Sequence, residues 1–112
     1  DEYPSLDFIL SIPSPVSISE NIVGSRLKEF DSCLLLSHFK GHGMGGYGAA
    51  LKQLSIGFAS QKGKTWIHTA GKLTDWPQAF KTGTTQIEFT SAMGDSASSI
   101  VNYFRAEGIY II

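Results

Sequence analysis

The sequence predicts an α/β fold, a mostly parallel sheet with flanking helices, forming one domain or an excised piece of a larger protein over residues 1–112. Three observations predict it. The run Cys33–Phe39 is short and almost continuously apolar, with Asp31-Ser32 before it and glycines after it, the pattern of a strand buried on both faces of a parallel sheet. From Thr85 to Arg105, Phe89, Met93, Ala97, Ile100 and Phe104 recur every three or four positions, which is the spacing of one helix face. Strand-forming and helix-forming segments also alternate along the chain, the order that builds parallel α/β sheets.

Taken in order, Leu6–Ile12 is rich in β-formers and stops at Pro13, so it predicts a strand, with Pro13-Ser14-Pro15 as a turn or extended connector. Ser19 or Asn21 can cap a short helix over residues 22–30, placing Ile22, Val23, Leu27 and Phe30 on one side. The buried strand 33–39 follows, then the glycine-rich segment Gly41–Gly48. Tyr47, Leu51, Leu54 and Phe58 predict a helix from Gly45 or Gly46 to Ser60. Residues 61–74 read as a polar loop, Trp76-Pro77 restricts the backbone, and 82–85 is a second loop. After the long helix, Gly108 suits a C-terminal cap and Gly108–Ile112 a final strand. The chain opens on Asp-Glu-Tyr-Pro and closes on that apolar run, which is why a piece of a longer protein is expected.

Composition narrows the function classes without naming one. With Lys+Arg 9 against Asp+Glu 10, the formal charge of −1 gives no whole-molecule attraction to nucleic acid or membrane. No apolar run approaches the roughly 20 residues of a membrane span. The single cysteine, Cys33, excludes an internal disulfide and an all-cysteine metal cage, and favours a reducing, cytoplasmic setting.

Charge distribution is more informative than net charge. Between Ser32 and Thr74 there is no Asp or Glu, yet Lys40, Lys52, Lys62, Lys64, Lys72, His38, His42 and His68 all lie there. This is either a solvated basic face or an anion site, and the adjacent glycines favour the site. Gly41-His42-Gly43-Met44-Gly45-Gly46 satisfies G-x-G-x-x-G between a predicted strand and a predicted helix, where glycines let backbone amides approach a phosphate. No acidic residue stands about 20 positions on to hold a ribose, so a standard dinucleotide site is not expected. Gly57 to Gly63-Lys64-Thr65 has one residue too many between its glycines for a P-loop.

The expected site therefore has Gly41, Gly43, Gly45 and Gly46 presenting amides, Lys52, Lys64 and His68 holding or steering a phosphate or carboxylate, and no metal. His38, Lys40 and His42 are the candidates for catalysis. The histidines serve as acid–base groups or ligands, or else as structural hydrogen-bonders, and Lys40 as an anion clamp or a base. Cys33 reads as a core residue, not a nucleophile. The alternative is a non-catalytic domain whose basic, glycine-rich loop docks a partner domain or protein. Sparse aromatic residues between the basic positions argue against nucleic acid.

The run Ser37-His38-Phe39-Lys40-Gly41-His42-Gly43-Met44-Gly45-Gly46-Tyr47-Gly48-Ala49-Ala50-Leu51-Lys52, followed by Ile56–Ser60 and Gly63-Lys64 to His68, resembles the signature of the domain of unknown function 362 family. Its members are often titled iron–sulfur centre proteins. Glu20–Gly24 and Ile109–Ile112 fit the same pattern, so the resemblance spans nearly the whole chain. Gln53 stands after Lys52 where the family commonly has Asn. The resemblance implies a longer parent protein in which a ferredoxin-like, cysteine-rich region binds [4Fe-4S] clusters. This chain, with one cysteine, is then a middle portion without the cluster, and a ferredoxin-like domain of the same parent is an implied partner.

Overall fold

A computed structural model describes residues 7–37, 40–42, 46–75 and 83–112. It corrects the predicted sheet. Among the described residues the strands form two antiparallel pairs, and no parallel sheet is built. The first pair joins β1, Asp7–Ser11, to β2, Glu20–Gly24, in a register running from Asp7 opposite Gly24 to Ser11 opposite Glu20. The expected helix over 22–30 is therefore wrong in its first half. Ile22 and Val23 are β-branched and lie opposite Ile9 and Phe8, so cross-strand packing overrides a spacing that also fits a helix. Only one 3₁₀ turn, Ser25–Glu29, follows before Phe30 returns to extended backbone.

The second pair joins β3, Lys40–His42, to β4, Gly46–Gly48. Helix α1 is shorter than expected, Ala50–Ser55, and begins after the hairpin instead of inside it. The stretch expected as a polar loop contains α2, Gln61–His68. Its N-cap is Ser60, whose hydroxyl accepts from the Gly63 amide at 3.1 Å. Its buried face is Gly63, Thr65 and Ile67, too small and polar to show as an apolar stripe.

Helix α3, Gln86–Ala106, matches the predicted stripe. Thr85 and Glu88 form a reciprocal capping box at its start. Its end is a Schellman turn: Gly108 sits at φ 73°, its amide donates to Arg105 O at 3.2 Å, and the Ile109 amide donates to Phe104 O at 2.8 Å. The N-terminal half of α3 packs Phe89, Ala92 and Met93 with Ile12, Ile18, Ala59 and Ile67. The C-terminal half packs Ile100 and Phe104 with Leu10, Val23, Leu27 and Cys33. One helix thus serves both clusters, and each fully buried Phe or Ile contributes roughly 1.5–3 kcal/mol. Trp76-Pro77 lies outside the described residues.

Among the described residues of the predicted strands 33–39 and 108–112 there is a single parallel bridge, Cys33 to Ile111, held by Leu35 N to Ile112 O at 2.7 Å and Ile112 N to Cys33 O at 2.9 Å. Cys33 is buried, and burial pushes its thiol pKa up, as a core residue requires.

Glu88 carries a pH signature. The Thr85 backbone N–H, then the Lys72 ammonium at 3.0 Å and the Thr85 hydroxyl, hold its carboxyl below the usual carboxylate range. A depressed folded pKa adds stability that is complete above the unfolded value of about 4.3 and is lost as pH falls through the folded one. A small melting-temperature gap between the wild-type chain and Glu88→Gln is expected at neutral pH, closing as pH drops below the carboxylate range. A gap independent of pH would contradict this.

Candidate functional site

The structure distributes the described sequence-predicted residues over four elements. His38, Gly43 and Gly45 lie outside the described residues. Lys40, Gly41 and His42 form the backbone of β3, and Gly46 opens β4 opposite His42. The described residues of the G-x-G-x-x-G stretch, Gly41, His42 and Gly46, thus lie in paired antiparallel strands, and not at a strand-to-helix junction. Among the described residues, a methyl group added at Gly41 would meet nothing within 4 Å. Packing does not demand glycine there, in contrast to Gly57 and Gly63, where the same methyl would strike the carbonyls of Gln53 and Ile22. An open approach to the β3 backbone is what a ligand-facing glycine needs.

Lys52 lies in α1, which packs on α3 and touches β4, while Lys64 and His68 lie one turn apart on α2. The His68 ring stacks on Phe89, 4.9 Å between centroids and 24° between planes, and its Nδ1 is 2.7 Å from Lys64 O. It is built into the α2–α3 contact.

The lysines of the acid-free segment divide by partner. Lys62 approaches Asp7 at 4.0 Å and Lys72 pairs with Glu88, both acids coming from outside the segment. Among the described residues no acid lies within ion-pair distance of Lys52 or Lys64. Lys64 lines a shallow cleft of about 230 Å³ where the end of β2 meets the start of α2. Gly24, Ser25, Arg26, Phe58, Ser60 and Gln61 complete most of its wall. Among the described residues no acidic side chain lines it, although Arg26 also reaches Glu29 at 3.2 Å.

Arg26 and Lys64 bring two cations to one lining, beside Ser25, Ser60 and Gln61, a composition that suits negative charge. The cleft volume is below the roughly 300–1,000 Å³ of sites that enclose drug-sized ligands, so it fits a small anion or the charged end of a larger molecule. The Ser60 hydroxyl is already committed to capping α2. With no carboxylate or histidine among the described residues of its wall, the cleft offers no general base.

Sequence reasoning missed Arg26 and Ser25 because they precede the acid-free segment, and it missed the cleft because the second wall, α2, reads as a loop. Ser60 three positions before Gly63 is the signal that could have found α2.

The donor set does not fit an iron–sulfur cluster. Such a cluster takes four thiolates, whereas this chain has one cysteine, enclosed in the second core cluster. Among the described residues no group of three or more His, Cys, Asp or Glu could hold a metal ion, and no helix is long and apolar enough to cross a membrane.

The family model described as domain of unknown function (DUF362) matches residues 4–110, and the chain belongs to that family. No curated protein and no solved structure matches the chain.

Proposed function

We propose that this chain is the anion-binding portion of a redox-associated, iron–sulfur-linked protein of the cytoplasm, and that the cleft between Arg26 and Lys64 holds a phosphate or carboxylate group. The observation that carries the reading is that Lys64 and Arg26 line one cleft with no described acid in its wall, while Lys62 and Lys72 of the same segment have acid partners in Asp7 and Glu88. The same basic segment contains Lys52 and the paired strands β3 and β4, which the reading gives to the same class of ligand. In this reading Gly41, Gly43, Gly45 and Gly46 offer amides, Lys40 clamps charge, His38 and His42 carry protons, and His68 steers the ligand. A ferredoxin-like domain of the parent protein is the electron-carrying partner that the reading implies.

Calorimetric titration with inorganic phosphate tests it. Lys64→Ala should weaken binding by about tenfold or more, the worth of one charge-assisted hydrogen bond. Lys62→Ala, already paired to Asp7, should change it less than about twofold. Equal, graded losses at Lys52, Lys62 and Lys64 would instead describe a diffuse docking face and overturn the cleft.

A further inference from the structure

The Arg26–Lys64 cleft has an apolar side as well as a charged one. Phe58 and Ala59 form part of its wall, and Gly24 is the third lining residue without a polar side chain. Phe58 stays half-buried, although its ring meets Phe104 and Phe30 edge to face, at 5.7 and 6.3 Å between centroids. Two such contacts fix the ring, so the cleft has a standing apolar surface there.

Gly24 occupies a position where the fold has no use for glycine. It ends β2 opposite Asp7 in an unbroken antiparallel register, so it marks no bulge. Its φ of −68° and ψ of 135° are extended values open to any residue. Among the described residues, a Cβ built there would meet nothing within 4 Å. Gly63 in α2 is the opposite case, because the Ile22 carbonyl leaves no room for a side chain. Glycine weakens a strand, and one that neither strain nor packing requires marks a place where another group can come close to the backbone.

We infer that the cleft takes an organic anion: Arg26 and Lys64 hold its phosphate or carboxylate end, and its apolar body lies over Gly24 against Phe58. This rests on the reading of the cleft as an anion site and adds the class of molecule that carries the charge. A bare inorganic ion would use the cationic lining and leave Phe58 and the space over Gly24 to water. A body that covers about 60 Å² of apolar surface gains about tenfold in affinity. The volume of about 230 Å³ sets the scale at one small ring with one charged group.

Calorimetric titrations at about pH 8, where both phosphates are predominantly dianions, compare phenyl phosphate with inorganic phosphate. Benzoate and acetate repeat the comparison for a carboxylate end. On the wild-type chain the aryl member of at least one pair should bind about tenfold more tightly, and Lys64→Ala should weaken both members of that pair. Gly24→Val suits extended backbone; it should bring the two members within about twofold of each other and change the affinity for the small ion less than about threefold. Gly24→Ala should fall between, and thermal melts of both variants check that the fold is kept. If the small ions bind in a Lys64-dependent way and neither aryl compound binds more tightly, the anion site stands and this inference falls. A preference that Gly24→Val leaves intact would overturn it too, because the body would then lie elsewhere. If none of the four compounds binds, or Lys64→Ala changes nothing, the anion site itself fails and takes the inference with it.

Discussion

Replacing Asp95 by Ala should lower the unfolding free energy by about 3–5 kcal/mol, among the largest effects of any single side-chain truncation in this chain. Asp95 sits inside α3, buried, and its carboxylate accepts from three consecutive backbone amides: Val16 at 3.1 Å, Ser17 at 2.6 Å and Ile18 at 2.9 Å. Successive amides aimed at one point form a concave anion cradle, and here a side chain of the same molecule fills it. The contact fixes the Pro-containing connection between β1 and β2 onto α3 and seats Ile18 in the first core cluster. Alanine would strand the three donors with no acceptor and leave Ile18 without its anchor. Denaturant unfolding should show the midpoint fall with the slope unchanged, and the melting temperature should drop by roughly 10 °C or more. Asp95→Asn, which keeps one acceptor oxygen but turns a donor toward the amides, should fall between. A loss under 1 kcal/mol for Asp95→Ala would show that the connection holds itself in place.

Gly63→Ala should be comparably damaging, by about 3 kcal/mol, although alanine is the better helix former. A methyl at this position would fall inside the van der Waals envelope of Ile22 O and also crowd the Ala59 Cβ. The Ile22 carbonyl cannot step aside cheaply, because it accepts from the Ser60 amide at 3.0 Å and lies in β2. The helix must then move off the strand, which opens the wall of the Arg26–Lys64 cleft as well. Gly94→Ala in α3 supplies the opposite sign: the added methyl meets nothing within 4 Å, so propensity alone acts and should stabilise by about 0.5–1 kcal/mol. Thermal melts of the two variants should move in opposite directions, and a shared direction would contradict the close packing of α2 on β2.

What the sequence made legible follows from how far its signals reach. Helix α3 was readable because its apolar stripe, from Phe89 to Phe104, repeats over more than four turns and both ends carry local stop signals in Thr85 and Gly108. Strand β1 was readable from its β-formers and Pro13. Helix α2 was not, because its inward residues are Gly63 and Thr65, chosen by the nearness of the Ile22 carbonyl and invisible to hydrophobic periodicity. The region 22–30 was misread because Ile22, Val23, Leu27 and Phe30 satisfy a helix pattern, while their true partners, Phe8 and Ile9, come through an eight-residue connection of no fixed local signature. Asp95 gave no sign of its role, since its partners are backbone amides 77–79 residues away. The predicted parallel sheet failed for a related reason. The described part of the first run, 33–37, meets 109–112 in parallel at one bridge, but Leu34, Leu36, Tyr110 and Ile112 stay exposed. The candidate site was legible as charge, in the acid-free segment and Lys64, and not as shape, since Arg26 and Ser25 come from a different part of the chain.

The most direct test of the central claim is an amide-resolved NMR titration of the chain with inorganic phosphate at moderate ionic strength. The account predicts saturable shifts that grow together at Gly24, Ser25, Arg26 and at Ser60 to Lys64, extending to the Gly41–Gly48 amides, and that vanish in Lys64→Ala. Shifts scattered over every lysine-bearing surface, unsaturable and erased by added salt, would reduce the basic segment to a solvated face and contradict it.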